Sequence, residues 1–204
     1  TEVSNTRQSF NLIFNSNIEQ LSIYGITEIL DGEFENFAAL SAVSFPTATS
    51  IGVYAFKSCV ALSTVNFPII TIIKSAAFYD CTSLSAVNFP IAKNIEDFAF
   101  HNCSALSTAN FPMATSIGVS GFDGCISLSF ANFPLVTDIK EWAFDGCTSL
   151  SNLVLGAMPP ATIGTNVFGN CPASRNLSIA NATGSELTAA YTAYKAAPDG
   201  NTTD

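Results

Sequence analysis

Cysteine is the residue type in this 204-residue chain whose spacing points most directly to chemistry. Five of the six cysteines recur at intervals of 22 residues: Cys59, Cys81, Cys103, Cys125 and Cys147. If each copy lies on a neighbouring strand about 4.8 Å away, a disulfide between neighbours is sterically conceivable. Against pairing, all copies are equivalent, and parallel side chains fit the required torsion of roughly 90° poorly. The spacing therefore favours a ladder of buried thiols that pack as small apolar groups, with pairing left open.

Other reactive residues give weaker patterns. Zinc is disfavoured because no C-x2-C motif or Cys/His cluster occurs. His101 is the only histidine, and we expect it to face solvent because the equivalent positions hold unrelated residues: Lys57, Tyr79, Asp123 and Asp145. Paired carboxylates need a pocket, and a regular array predicts no cleft. The densest acidic segment, residues 31–36, lacks the ligand order of a calcium loop. The sequence predicts no enzyme, no metal site and no cofactor.

Composition and charge exclude several classes of protein. Seven Lys and Arg against 16 Asp and Glu give a net charge of −9, which disfavours nucleic acid and anionic membranes. The chain is 48% hydrophobic and 11% charged, and such a composition is not that of a disordered chain. No stretch approaches the roughly 18 consecutive apolar residues of a membrane span. We therefore predict no nucleic-acid partner and no membrane insertion.

The chain is built from internal repeats, which explains its 17 phenylalanines. One unit runs from Ile51 to Pro68, and equivalent units begin every 22 residues at Ile73, Ile95, Ile117 and Ile139. Each unit carries an Ala-Phe or similar pair, a Cys, a Leu and a Phe-Pro pair. The pattern weakens towards both ends, as expected of repeats that cap a solenoid. The predicted divisions are an N-terminal capping repeat at 1–25, repeats of 22–24 residues at 26–180, and a C-terminal capping helix and tail at 181–204, within one domain.

Each unit has two halves. In the first, Val65 and Phe67 alternate with Thr64 and Asn66, which is typical of a strand with one buried face, and Pro68 ends that strand. In the second, Ile51–Cys59 has apolar spacing that predicts one or two turns of α- or 3₁₀-helix. The capping-box pair Thr183 and Glu186 predicts the final helix. Stacked units predict an α/β solenoid with parallel strands on one side and helical turns on the other.

The unit I-x3-A-F-x2-C-x2-L-x2-V-x-F-P resembles the BspA-like leucine-rich repeats of bacterial surface proteins, over roughly residues 26–180. The resemblance implies a right-handed array with strands on the concave side and helical turns on the convex side. It also implies an extracellular or cell-surface location and, for some relatives, adhesion to host matrix proteins or to other bacteria. It implies no catalytic residue. The chain departs from the usual pattern by favouring Phe where the family's strand more often has Ile or Leu.

The outward strand positions are the candidate binding site, a concave strip formed by Thr64, Asn66, Asn88, Thr108, Asn110, Phe130 and Asn132. One interpretation is structural, because stacked Asn side chains can hydrogen-bond to one another. The other is a shallow polar surface, with one exposed aromatic, that binds a protein or a glycan. Tyr54, Phe98 and Trp142 share a register on the turn side and either pack on neighbours or form a second contact surface. We predict a monomeric, non-catalytic module that binds a protein partner; the alternatives are a structural spacer and a glycan-binding module.

Overall fold

The structure is a computed structural model that describes residues 17–156, 160–172 and 176–179. Short strands and turns make up the described residues. The strands are β1 Gln20–Ser22, β2 Glu28–Ile29, β3 Ala42–Ser44, β4 Ser50–Ile51, β5 Thr64–Asn66, β6 Ile72–Ile73, β7 Ala86–Asn88, β8 Asn94–Ile95, β9 Thr108–Asn110, β10 Ser116–Ile117, β11 Phe130–Phe133, β12 Asp138–Ile139, β13 Asn152–Leu155, β14 Thr162–Ile163 and β15 Asn176–Ile179.

Each strand pairs in parallel with the equivalent strand of a neighbouring repeat. Asn88 of β7 aligns with Asn110 of β9, and Ile95 of β8 aligns with Ile117 of β10. The even-numbered strands form one seven-stranded sheet, β2 to β14. The odd-numbered strands form the side of the molecule that we call the strand face. The parallel solenoid predicted from the repeats is therefore confirmed.

The prediction of helical turns is wrong for the described residues. The segments that join each even-numbered strand to the next odd-numbered strand are turns and contain no helix. Alternate amides there bond in different directions. Lys57 donates to Tyr54 in its own turn at 3.1 Å, whereas Phe56 donates to Ala77 of the next repeat at 2.8 Å. Because every second amide bonds to a neighbouring repeat, a continuous run of helical hydrogen bonds cannot form. Positive φ angles at Tyr54 (56°) and Ser58 (58°) also interrupt any helix. The predicted C-terminal capping helix lies outside the described residues.

Phenylalanine rings fill one continuous core. The rings of the Ala-Phe position stack at 5.1 to 5.6 Å between centroids and within 10° of parallel. They belong to Phe34, Phe56, Phe78, Phe100, Phe122, Phe144 and Phe168. A second ladder comes from the Phe-Pro pairs: Phe45, Phe67, Phe89, Phe111 and Phe133. Both ladders are buried, so the apolar composition reflects one repeat's core used many times.

The strand face divides into two sheets, β1-β3-β5 and β7-β9-β11-β13-β15. At the division, Ser85 N lies 3.5 Å from Ser63 O, whereas the equivalent distance one repeat later, Ser107 N to Ser85 O, is 2.8 Å. Ile70 is buried beside the division, in the position that Ala occupies in the adjacent repeats. The repeat on one side of the division thus differs from its neighbours both in this buried residue and in its spacing on the strand face.

Candidate functional site

The predicted strip lies together on the strand face, at the outward positions of β5, β7, β9 and β11. Thr64, Asn66 and Asn88 are exposed, whereas Thr108, Asn110 and Asn132 are half-buried. Phe130 is 37% exposed. Outward and buried positions alternate along each strand, as the sequence pattern predicted. The strip is therefore a real surface, although the division between β5 and β7 crosses it.

The asparagines of the strip hydrogen-bond to one another. Asn132 Nδ2 donates to Asn110 Oδ1 at 2.7 Å, and Asn110 Nδ2 donates to Asn88 Oδ1 at 2.7 Å. Asn66 Nδ2 donates to the Ser44 hydroxyl at 2.9 Å. These contacts support the structural interpretation of the ladder, because much of its hydrogen-bonding capacity is used within the protein. A ligand would meet a flat, pre-arranged surface with Phe130 as its one large side chain.

The cysteines form a buried ladder of free thiols. Cys59 Sγ donates to Phe34 O at 3.0 Å, and Cys103 Sγ donates to Phe78 O at 3.2 Å. The other repeats use the same contact with the Phe carbonyl of the preceding repeat. Burial raises the pKa of Cys59 to about 12 and raises that of Cys103 well above its usual range. The structure thus shows the packed thiols that the spacing favoured, in an environment that suppresses the reactive thiolate.

His101 is more buried than its variable position predicted. Its ring stacks on Tyr79 with 4.7 Å between centroids, and its Nδ1 lies 3.4 Å from Asp123 Oδ2. Burial raises the pKa of Asp123, and the neighbouring imidazole opposes that shift. Across the described ranges, no three side chains of the metal-ligating types converge. His101 therefore belongs to a surface stack with Tyr79 and Asp123.

A depression lies beside β8, β10 and β12, a feature that the regular array did not predict. Its volume is about 280 Å³, and Glu96, Asp97, Asp138 and Lys140 contribute to its lining. Lys140 Nζ pairs with Asp138 Oδ2 at 2.9 Å, and Asp97 Oδ1 accepts a hydrogen bond from Val119 N. These side chains are engaged with the protein itself, and the depression opens broadly to solvent.

Between residues 26 and 156, charge is confined to the turn side of the solenoid. In residues 26–156, each charged side chain lies directly before an even-numbered strand, within that strand, or in the turn that follows it. They are Glu28, Asp31, Glu33, Glu35, Lys57, Lys74, Asp80, Lys93, Glu96, Asp97, Asp123, Asp138, Lys140, Glu141 and Asp145. The strand face in the same range carries no charged residue. The molecule thus presents an uncharged face of small polar side chains and an acidic turn side.

Exposed apolar side chains form two further rows. Tyr54, Phe98 and Trp142 are 46%, 38% and 39% exposed on the turn side. A second row, which the sequence analysis missed, follows the Phe-Pro pairs and comprises Ile69, Ile91, Met113 and Leu135, 39% to 45% exposed. Its signal was available, because four consecutive repeats place an apolar residue directly after Phe-Pro.

Comparison with known proteins gives the same architecture. A model of the BspA type leucine rich repeat region, with six copies, matches residues 6–116 and 93–192. The chain belongs to this family. Among the described residues, no helix has the length and apolar character that crossing a membrane requires.

Two solved structures illustrate the family likeness. A leucine rich cell surface protein from Faecalibacterium prausnitzii A2-165 is 30% identical, with a TM-score of 0.68 over 80% of this chain and 48% of that protein. The chain therefore spans about half the length of that protein. A leucine-rich repeat protein of T. pallidum is 22% identical, with a TM-score of 0.58 over 76% of this chain and 79% of that one. No protein with a curated description matches the chain in sequence.

Proposed function

We propose that this chain is a non-catalytic recognition module, secreted or displayed by a bacterium, whose strip on the strand face binds a partner protein. The observation that carries the proposal is the strip itself, whose residues on β7, β9 and β11 are held in a fixed register by parallel pairing. A pre-organised surface loses little conformational entropy on binding. Repeat solenoids present such extended surfaces, and the BspA-type family supports a role in protein interaction.

Phe130 is the natural centre of this contact. It lies beside Thr108 and Asn152 in the pairing of β11 with its neighbours, and it is the one aromatic side chain of the strip. Binding energy concentrates in a few large side chains surrounded by contacts that exclude water. The uncharged surface around Phe130 would lose little solvation on contact, because it holds no ionic group that needs a partner.

Substitution of the strip tests the proposal. We expect Asn88→Lys, Asn110→Lys and Phe130→Glu to weaken binding to immobilised host matrix proteins by roughly tenfold or more, because each places a charge in the contact. Ser83→Lys is the matched control, since Ser83 is exposed and lies outside the strip. Binding that is unchanged in all three variants would exclude the strip as the site.

A structural spacer is the second candidate function. One comparison favours it, because this chain covers only 48% of a cell surface protein. A repeat array that forms half of a longer protein can hold the other half away from the cell. Removing one internal 22-residue repeat distinguishes the two functions. A spacer tolerates the loss with a shorter reach, whereas deletion of the repeat that carries Phe130 should abolish recognition by the strip.

A further inference from the structure

The row formed by Tyr54, Phe98 and Trp142, which we call the aromatic row, occupies an unfavourable backbone position. Each repeat has a positive φ angle at this point. The residues there are Gly32, Tyr54, Ala76, Phe98, Ser120, Trp142 and Asn166. Gly and Asn adopt this conformation readily, whereas bulky side chains are outliers. The repeat therefore imposes this conformation, and three bulky aromatic residues adopt it while remaining partly exposed.

The aromatic row has a regular spacing. Its rings belong to alternate repeats, and the small, buried residues Ala76 and Ser120 lie between them. Two steps of a parallel ladder span roughly 10 Å. In a polyproline II helix, every third side chain lies on the same face, and successive side chains of that face are roughly 9 Å apart. Exposed aromatic side chains are also the usual platform for such helices, so successive turns of one would meet successive rings.

Lys57 Nζ already lies over the Tyr54 ring, 4.9 Å from its centroid, whereas the charges next to Phe98 and Trp142 are acidic and point to a basic ligand there. Asp97 precedes Phe98 and Glu141 precedes Trp142, and both carboxylates are exposed. Neither forms an ion pair within the described part of the chain. Asp145 lies three residues beyond Trp142, is half-buried and accepts a hydrogen bond from Asn170 Nδ2 at 2.9 Å. Arg or Lys side chains would find carboxylates there, and aromatic faces as well.

We propose that the aromatic row binds a proline-rich, basic segment of a partner protein in the polyproline II conformation. This surface lies on the turn side, apart from the strip of the proposed function. Evidence against binding at one surface therefore leaves the proposal for the other unchanged. The acidic setting favours a basic peptide over a neutral glycan, although extended glycans also stack on aromatic rings.

Trp142 provides the measurement because it is the only tryptophan in the chain. We expect a peptide of Pro-Pro-Arg repeats to shift its fluorescence and to bind in an anisotropy titration, with affinity that falls as salt rises. Pro-Pro-Glu repeats and a flexible Gly-Ser-Arg peptide of equal length should bind much more weakly. Equal binding of the flexible basic peptide would reduce the contact to charge alone and overturn the proposal. Binding of cellohexaose in place of the peptide would also overturn it.

Variants at the row complete the test. Phe98→Asn and Trp142→Asn should retain the fold, because Asn166 occupies the same positive-φ position, yet each should weaken peptide binding roughly tenfold or more. Ala76→Gly relieves the same strain without removing a ring and should bind as the parent does. Asn88→Lys on the strand face should also leave peptide binding unchanged. If Phe98→Asn and Trp142→Asn bind the labelled peptide as tightly as the parent, the row is not the site.

Discussion

The thiol of each regular repeat is held by burial and by one hydrogen bond to a carbonyl of the preceding repeat. The 22-residue spacing predicted the burial, and Phe37, which stands in place of Cys in an earlier repeat, is buried as well. The spacing could not predict the acceptor. The Phe78 carbonyl lies 25 residues before Cys103, and only the stacked structure brings the two together.

Buried thiols should resist chemical modification. We expect the cysteines to react with Ellman's reagent at pH 8 only as fast as the protein opens, because burial suppresses the thiolate. All six should react at once in denaturant. Cys171, which is 7% exposed, should be the first to react in the folded protein. Immediate labelling of Cys103 in native buffer would contradict this arrangement.

The same thiols should make the fold sensitive to alkali. Their pKa is raised in the folded state above the ordinary value of 9.0, so above that pH the unfolded chain loses protons that the folded chain retains. We therefore expect the thiols' contribution to the free energy of unfolding to be complete below pH 9.0 and to be lost as the pH rises towards about 12. Each thiol contributes a slope of about 1.4 kcal/mol per pH unit.

Urea unfolding at several pH values measures this slope. Cys103→Ala should reduce the dependence on pH above 9.0 while lowering stability at neutral pH, because it removes both an ionisable group and buried volume. A Cys103→Ala protein with the parent's full alkaline slope would show that other groups cause the effect.

At the scale of elements, the strand half of the repeat was predictable and the turn half was not. Alternation of Val65 and Phe67 with polar neighbours is a local signal, and β5 follows it. The spacing of Ile51, Ala55 and Cys59 resembles a helix because a tight turn also returns side chains to one face at intervals of three or four. What decides between the two is the bond from Phe56 N to Ala77 O in the next repeat, and no local pattern reports such a contact.

Close approach between repeats should make Gly118 hard to replace. A Cβ at this residue would lie 2.5 Å from Asp97 N and from Glu96 C, both backbone atoms. We therefore expect Gly118→Ala to lower the free energy of unfolding by roughly 3 kcal/mol or more, measured in urea. Gly25→Ala is the control, because nothing lies within 4 Å of its Cβ and only the positive φ opposes it, at about 1–2 kcal/mol. Equal losses would mean that adjacent repeats are not in backbone contact there.

At the scale of the whole molecule, stability should depend on position along the stack. Phe100 is fully buried and stacks on both Phe78 at 5.2 Å and Phe122 at 5.1 Å. Phe168, near the end of the described repeats, is 9% exposed. We expect Phe100→Ala to cost roughly 3–5 kcal/mol and Phe168→Ala clearly less. Equal shifts of the urea midpoint would contradict a single continuous core.

The side-chain ladders described above also have a direction. Asn132 donates to Asn110, Cys125 to Phe100 and Ser107 to Ser85, in each case towards the preceding repeat. A repeat added at the C-terminal end therefore brings donors to acceptors that already exist, whereas loss of an N-terminal repeat strands buried donors in the next one. The turn amides run the other way, since Phe56 N donates to Ala77 O of the following repeat, so removal of a repeat from either end leaves a different set of donors without acceptors.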